Sequence, residues 1–150
     1  MQSPLPAKVR RLGMWCHLAG LAWLSLFVLP IPYLWLLAPY LVWKLNRAEH
    51  PFVDEQGKES LSFQISIAVY LTALLILALF LLLATCGVIF GGIVFHSTEV
   101  LNILTALAGP IAIGIGLVIL VGPTLLVIVA ARKALNGQSY RYPLNLRFFG

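Results

Sequence analysis

The sequence predicts an all-α membrane protein, a polytopic bundle of four helices in which the first two form a short, proline-linked hairpin. Three observations lead to this fold class. Hydrophobic residues make up 61% of the 150 residues and charged residues only 10%, against roughly 25% charged residues in soluble domains. Long apolar runs without any charge alternate with short polar segments, and every basic residue lies at the edge of such a run. A chain of this length is expected to form a single transmembrane domain, residues 1–150.

The first apolar run covers residues 12–43 and is too long for one span, which needs about 20 residues. Pro30 and Pro32 divide this run, because a proline removes a helical N–H and disfavours the helical conformation of the preceding residue. We therefore predict helices at about 12–29 and 33–46, joined as a hairpin with both ends on one side of the membrane. Their lengths leave open whether the hairpin crosses the bilayer or only dips into it.

The third helix is predicted at about 54–95. It starts within a polar segment, residues 44–58. Asp54 is suited to its start, because a carboxylate there accepts a hydrogen bond from a free N–H of the first helical turn. The helix is amphipathic at first and then apolar from Ile65 onward, so it is long enough to span with tilt.

The fourth helix is predicted at about 100–134, after a polar break at residues 96–99. Gly109-Pro110 is a candidate interruption of this helix. The tail, residues 135–150, is basic and aromatic, which is typical of segments that lie in or near the lipid headgroups.

The positions of the basic residues predict the topology. Cytoplasmic loops of membrane proteins are enriched in lysine and arginine, and the hairpin arrangement places all ten basic residues on one side. This predicts a multi-pass protein of a bacterial-type inner membrane, plasma or thylakoid, with both termini in the cytoplasm. A nucleic-acid partner is not expected, because the basic residues flank apolar runs and form no recognition face. They are Lys8, Arg10, Arg11, Lys44, Arg47, Lys58, Arg132, Lys133, Arg141 and Arg147.

Catalysis is not expected from this sequence. Ionisable residues inside spans are costly and usually functional, and here all five carboxylates lie at the predicted interfaces. No helix pairs its histidines at a metal-ligand spacing, so neither a metal nor a cofactor is predicted. For His17 we expect an interhelical or interfacial hydrogen bond, with axial ligation of a haem or chlorophyll as the alternative. The carboxylates are Glu49, Asp54, Glu55, Glu59 and Glu99.

Two sets of residues are candidates for contacts. The first is a polar cluster at the inner end of the third helix, which is interpreted as a helix end docking under the hairpin, with the mouth of a cavity or a partner surface as alternatives. It consists of Glu59, Ser62, Gln64, Ser66 and Tyr70. The second set has the small-xxx-small spacing that lets helices approach closely, within the bundle or between subunits. It consists of Gly87, Gly91, Ala108, Ala112 and Gly116.

Three stretches of the sequence resemble a known family. They are PFVDEQGKESLSFQIS at 51–66, HLAGL at 17–21 and GQSYRYPL at 137–144. They resemble small bacterial membrane proteins of unknown function that are related to the twenty-kilodalton subunit of the chloroplast inner-envelope import translocon, the Tic complex. Ser62 departs from that pattern, which usually has asparagine there. The resemblance implies a four-helix membrane protein and, in the plastid relatives, a role in protein import.

Three functional hypotheses follow from these observations. The resemblance favours a non-catalytic subunit of a Tic-like translocation or assembly complex. The polar cluster is also compatible with a small channel or transporter, and His17 and the glycines with an accessory or pigment-complex subunit. The expected partners are membrane lipids, together with other membrane proteins or further copies of the chain.

Overall fold

The protein is helical throughout its regular structure. The computed structural model describes residues 5–27, 31–95, 98–146 and 148, and these contain no β-strand. Two helical segments among the described residues are long and apolar enough to cross a membrane. They are Pro51–Gly87 and Ala106–Leu135. The predicted all-α fold class with four helices is confirmed. The α-helices are α1 (Ala7–Leu18), α2 (Leu37–Asn46), α3 (Pro51–Phe95) and α4 (Thr98–Leu135).

The hairpin differs from its prediction in where the α-helices begin and end. α1 begins five residues earlier than residue 12, at Ala7, and is followed by a 3-10 helix at Ala19–Phe27 instead of a continuous α-helix. A second, short 3-10 helix at Leu34–Leu36 precedes α2. Of the bend predicted at Pro30 and Pro32, Pro30 lies outside the described residues, and Pro32 lies in a turn before Leu34.

The two long helices also differ at their starts. α3 begins at Pro51 and not at Asp54, because proline is well suited to a first helical turn, where its missing N–H has no intrahelical partner to lose. The His50 Nδ1 atom accepts a hydrogen bond from the free N–H of Phe52 (3.1 Å). α4 continues through Gly109-Pro110, so the candidate interruption there does not end the helix.

The chain divides into two compact units. The first comprises Met1–Val69 and Pro123–Gly150, and the second Tyr70–Gly122. All ten basic residues belong to the first unit, whereas Glu99 is the only charged residue of the second. In the second unit the described large apolar side chains are mostly exposed, as Phe80 (66%) and Val118 (72%) are. Such a surface matches lipid and not water.

The first unit has two apolar clusters. The first forms where α1 and the start of α3 meet the end of α4, and its buried members are Val9, Cys16, Phe52, Val53 and Ala134. The second lies further along α3, and its buried members are Phe63, Val127, Ala130 and Tyr142. Tyr142 belongs to the tail that follows α4, so the tail contributes to the core of this unit.

The end of α4 directs the tail back toward α3. Gly137 has a φ of +76°, a left-handed conformation that glycine adopts without steric cost. Its N–H donates to the carbonyl of Ala134 (2.9 Å), and the N–H of Gln138 donates to the carbonyl of Lys133 (2.9 Å). These two bonds form a Schellman motif, which satisfies the last carbonyls of the helix.

Candidate functional site

The inner end of α3 carries a set of polar side chains that are almost completely buried. A buried polar side chain is costly unless it is hydrogen-bonded, so each of these residues needs a partner in the fold. Their exposed fractions are at most 2%. They are Gln56, Ser60, Ser62, Gln64 and Ser66.

His17 and Gln56 join α1, α3 and the tail. The Gln56 Oε1 atom accepts a hydrogen bond from the Tyr140 N–H (3.2 Å) and lies 3.1 Å from His17 Nε2. Because Oε1 is an acceptor, His17 Nε2 must donate, which leaves Nδ1 as the acceptor of the neutral ring. The Tyr142 hydroxyl, 3.0 Å away, then donates to Nδ1. The predicted interhelical hydrogen bond of His17 is present, and it extends to the tail.

Burial keeps the side chains of His17 and Tyr142 neutral. It lowers the pKa of His17 from 6.5 to about 4, against smaller opposing effects of the hydrogen bond to Gln56 and the charge of Glu59. Burial likewise raises the pKa of Tyr142 well above its usual value of 10. At neutral pH, His17 is therefore an uncharged hydrogen-bonding group.

Glu59 fixes the direction of the tail. Its Oε1 atom accepts hydrogen bonds from the Tyr142 N–H (2.7 Å) and from the side-chain amide of Asn145 (2.9 Å). A turn at Pro143-Leu144, with Leu144 at φ +61°, brings both donors to the same oxygen. Bonds to a charged acceptor are among the stronger ones in proteins.

Ser62 and Ser66 continue the contact with the tail by one turn of α3. The Ser62 hydroxyl donates to Asn145 Oδ1 (2.7 Å) and accepts from the N–H of Phe148 (2.9 Å). The Ser66 hydroxyl accepts from the N–H of Leu146 (2.9 Å) and donates to the carbonyl of Ser62 (2.8 Å). The two serine hydroxyls thus accept hydrogen bonds from backbone N–H groups of the irregular tail, as a neighbouring strand would in a β-sheet.

Close helix packing surrounds these polar contacts. The Ser60 hydroxyl donates to the carbonyl of Cys16 in α1 (2.8 Å). An added Cβ at Gly20 would lie 2.5 Å from Gln64 Nε2, so the chain after α1 passes close to the side chain of Gln64. The side chain of Phe63 is stacked on the ring of Tyr142, with centroids 3.9 Å apart and planes inclined by 7°.

Four of the five residues in the predicted polar cluster belong to this contact region. Glu59, Ser62 and Ser66 bind the tail, and Gln64 is buried beside Gly20. Tyr70, the fifth, is partly exposed and belongs to the second unit. Sequence reasoning did not identify Tyr142 or Asn145, because a contact between residues more than 80 positions apart leaves no local pattern. The only signal was that the tail stretch 137–144 carries two tyrosines and a proline.

The predicted packing residues lie in a different environment. An added Cβ at Gly87 or Gly116 would meet nothing within 4 Å, and Ala108 and Ala112 are exposed. Gly91 lies outside the residues whose surroundings are described. Close packing within one chain is therefore absent at the four described positions, and contact with another subunit stays a prediction. No group of three metal-binding side chains occurs among the described residues.

Comparison with known proteins identifies the family. The family of magnetosome magnetite crystal formation proteins, MamF/MmsF, matches residues 8–149, which is nearly the whole chain. No curated protein and no solved structure matches. The predicted relation to the Tic translocon is therefore wrong, and the role in protein transport that it implied is wrong with it. The chain belongs to the MamF/MmsF family and is a membrane protein involved in magnetosome formation.

Proposed function

We propose that this protein is a non-catalytic membrane subunit of the machinery that forms magnetite crystals. The observation that carries the proposal is the engagement of the polar groups at the inner end of α3. Glu59, Ser62 and Ser66 are all hydrogen-bonded to the tail. A catalytic or conducting site needs polar groups that a substrate or ion can reach, whereas these groups hold two parts of one fold together.

The same contacts support a proposed topology. The tail binds the inner end of α3, and α1 packs on that end through His17 and Gln56, so both ends of the chain belong to one compact unit. That unit carries all ten basic residues and four of the five carboxylates. Because lysine and arginine favour the cytoplasmic side, we place both termini in the cytoplasm, with α3 and α4 as two membrane spans.

In this arrangement the protein contributes a basic, folded surface on the cytoplasmic face of a membrane. Its role in crystal formation would then be structural, through contacts with lipid headgroups and with other membrane proteins or further copies of the chain. The charge of the unit favours anionic partners, because electrostatic complementarity steers association.

A comparison of two substitutions at Glu59 tests the non-catalytic role. The protein would be expressed in a magnetosome-forming bacterium that lacks its own copy, and crystal size would be measured by electron microscopy. Glu59→Gln keeps an acceptor oxygen for Tyr142 and Asn145 but removes the carboxylate, so we expect crystals like those of the wild type. Glu59→Ala removes the acceptor, and we expect less protein and smaller crystals. A Glu59→Gln protein that is present at normal amounts but behaves like a deletion would contradict the proposal.

Reconstitution distinguishes the structural role from a channel. Vesicles containing the purified protein should conduct no ions at any applied voltage, and neither should vesicles with Tyr142→Ala, which weakens the tail contact. Sustained currents from the wild type would overturn the proposal.

A reporter fused to the C-terminus tests the proposed topology. A reporter that is active only in the cytoplasm should show activity, and one that is active only in the periplasm should not. Activity of the periplasmic reporter would refute the placement of the C-terminus.

A further inference from the structure

The first leg of the N-terminal hairpin runs parallel to α3. At Gly13 an added Cβ would lie 2.7 Å from Phe52 Cε1, and at Gly20 an added Cβ would lie 2.5 Å from Gln64 Nε2. Residue numbers therefore increase in the same direction along both segments. Gly13 lies beside the start of α3, and Gly20 lies beside a point three turns further along it. This leg accompanies α3 from its polar end toward its apolar part.

The leg then continues into the apolar region. Gln64 lies where the charge-free part of α3 begins, the last charged residue before it being Glu59. Beyond Gly20 the 3-10 helix continues for seven more residues, to Phe27. At a rise of about 2 Å per residue this is about 14 Å, roughly half of a hydrocarbon core that is about 30 Å thick. The first leg therefore ends near mid-bilayer.

The second leg returns to the same polar end. α2 has 10 residues, Leu37–Asn46, and is about 15 Å long at a rise of 1.5 Å per residue, which is too short for a span. Its Trp43 side chain packs against Gly57 of α3, and Trp43 Nε1 donates to Asp54 Oδ1 (2.8 Å). α3 begins at Pro51, five residues after α2 ends. The first leg therefore begins, and the second leg ends, where α3 carries its charges.

The outer surface of the hairpin is apolar. No charged residue occurs between Arg11 and Lys44. A helix face in water would carry polar residues at such positions, whereas both legs of the hairpin expose apolar side chains by about half. Examples are Leu24 (43%), Ile31 (47%), Tyr33 (48%), Leu37 (51%) and Leu41 (50%).

We infer that the N-terminal hairpin is a re-entrant membrane element that enters one leaflet from the side of the basic residues and leaves by the same side. The acyl chains of that leaflet cover its exposed apolar face. Arg11 and Lys44, one on each leg, lie on the headgroup side of the apolar stretch, where basic side chains are favoured.

Spin labels placed on the two legs test this arrangement. Cys86 is exposed and Cys16 is buried, so Cys86→Ala gives a background in which an introduced cysteine is the one accessible thiol. Leu24→Cys and Leu41→Cys, at exposed positions, would be labelled with a nitroxide. The proteins would be reconstituted in vesicles of phosphatidylcholine and phosphatidylglycerol, with unchanged helix content as the criterion of folding.

Collision with oxygen, which concentrates in lipid, and with a water-soluble nickel complex gives the depth of each label. We expect the label at Leu24 to be oxygen-accessible and shielded from nickel, like a reference label at Leu77 in the apolar part of α3. A second reference at Ala48, in the exposed turn before α3, should be nickel-accessible. Nickel accessibility at Leu24 equal to that at Ala48 would overturn the inference. So would strong coupling between Leu24 labels of different copies, which would identify a second chain as the occupant.

A thiol reagent that cannot cross membranes separates a re-entrant hairpin from a crossing one. Ile31→Cys should not react from either face of oriented vesicles, whereas Ala48→Cys should react from one face. Reaction of Ile31→Cys from the face opposite to Ala48→Cys would show that the hairpin crosses the bilayer and would refute the inference.

Discussion

The hydroxyl of Tyr142 lies 3.0 Å from Nδ1 of His17, although 125 positions separate the two residues. The ring of Tyr142 is at the same time stacked on Phe63 of α3, with centroids 3.9 Å apart. Tyr142 is 5% exposed. One side chain of the tail thus contacts both the first and the third α-helix, and the tail is part of the core that the rest of the first unit forms.

The first prediction concerns the hydroxyl group of Tyr142. Tyr142→Phe keeps the ring stacked on Phe63 but leaves the buried Nδ1 atom of His17 without its donor. Losing one partner of a buried hydrogen bond costs about 1–3 kcal/mol, so we expect a lower thermal midpoint in detergent. Tyr142→Ala also removes the ring, and truncating a buried aromatic side chain costs about 3–5 kcal/mol.

Tyr40→Phe is the matched control for this pair. Tyr40 is 39% exposed on α2, and its ring contacts Trp43, a contact that phenylalanine preserves. Its thermal midpoint should stay within experimental error of the wild type. Equal effects of Tyr40→Phe and Tyr142→Phe would show that the hydrogen bond to His17 contributes nothing to stability.

The second prediction is a loss of stability in mild acid. Because the folded protein lowers the pKa of His17 to about 4 from 6.5, the unfolded chain binds a proton between these values while the folded chain does not. Stability therefore falls as the pH decreases from about 6.5 to about 4. The free energy of unfolding that is lost through His17 is on the order of 3 kcal/mol at most, because one pKa unit corresponds to about 1.36 kcal/mol.

Thermal unfolding in detergent at pH 7 and pH 5 measures this effect. In His17→Gln the side chain at position 17 does not titrate, so the difference between the two midpoints should be clearly smaller than in the wild type. An unchanged difference in His17→Gln would assign the acid sensitivity to other groups.

The third prediction concerns the attachment of the tail through Glu59. In Glu59→Ala the Tyr142 N–H and the Asn145 amide lose their common acceptor, so residues 138–148 should exchange amide hydrogens faster and become sensitive to protease. Glu55→Ala is the control, because Glu55 is exposed one turn earlier on α3, and it should leave the exchange of the tail unchanged. Protection of the tail in Glu59→Ala equal to that in the wild type would contradict the described contacts.

The fold class followed from the sequence because it depends on local quantities. Runs of apolar residues, prolines and charges at the edges of spans act over one or two helical turns, and they located α3 and α4 to within three residues. The prediction of the hairpin was less accurate, because the chain after Leu18 forms a 3-10 helix at Ala19–Phe27. No propensity pattern distinguishes an α-helix from a 3-10 helix whose geometry is set by neighbours.

The buried site was predictable only in part, for a different physical reason. The periodicity of α3 indicated that Ser62 and Ser66 share a face, but it could not show that the tail covers that face. The partners of these serines, Asn145 and the backbone after it, come from an irregular segment about 80 residues away. The family was likewise identified from similarity along nearly the whole chain, residues 8–149, and not from any single residue of the site.

The fourth prediction compares the same substitution at two glycines of long helices. At Gly57 an added Cβ would collide with the Cδ1, Cβ and Cγ atoms of Trp43, whose ring is held by the hydrogen bond from Nε1 to Asp54. Gly57→Ala should therefore destabilise the protein, because overpacking typically costs about 1–3 kcal/mol.

Gly116→Ala is its control and should act in the opposite direction. Nothing lies within 4 Å of an added Cβ at Gly116, and alanine is about 1 kcal/mol more favourable than glycine inside a helix. Thermal midpoints of the two variants in the same detergent should therefore fall on either side of the wild-type value. If Gly116→Ala were instead destabilising in detergent that preserves oligomers but not in detergent that separates them, that surface would be an interface between copies. If Gly57→Ala were neutral, α2 would not pack on α3 through Trp43, and the return leg of the proposed re-entrant hairpin would lose its anchor.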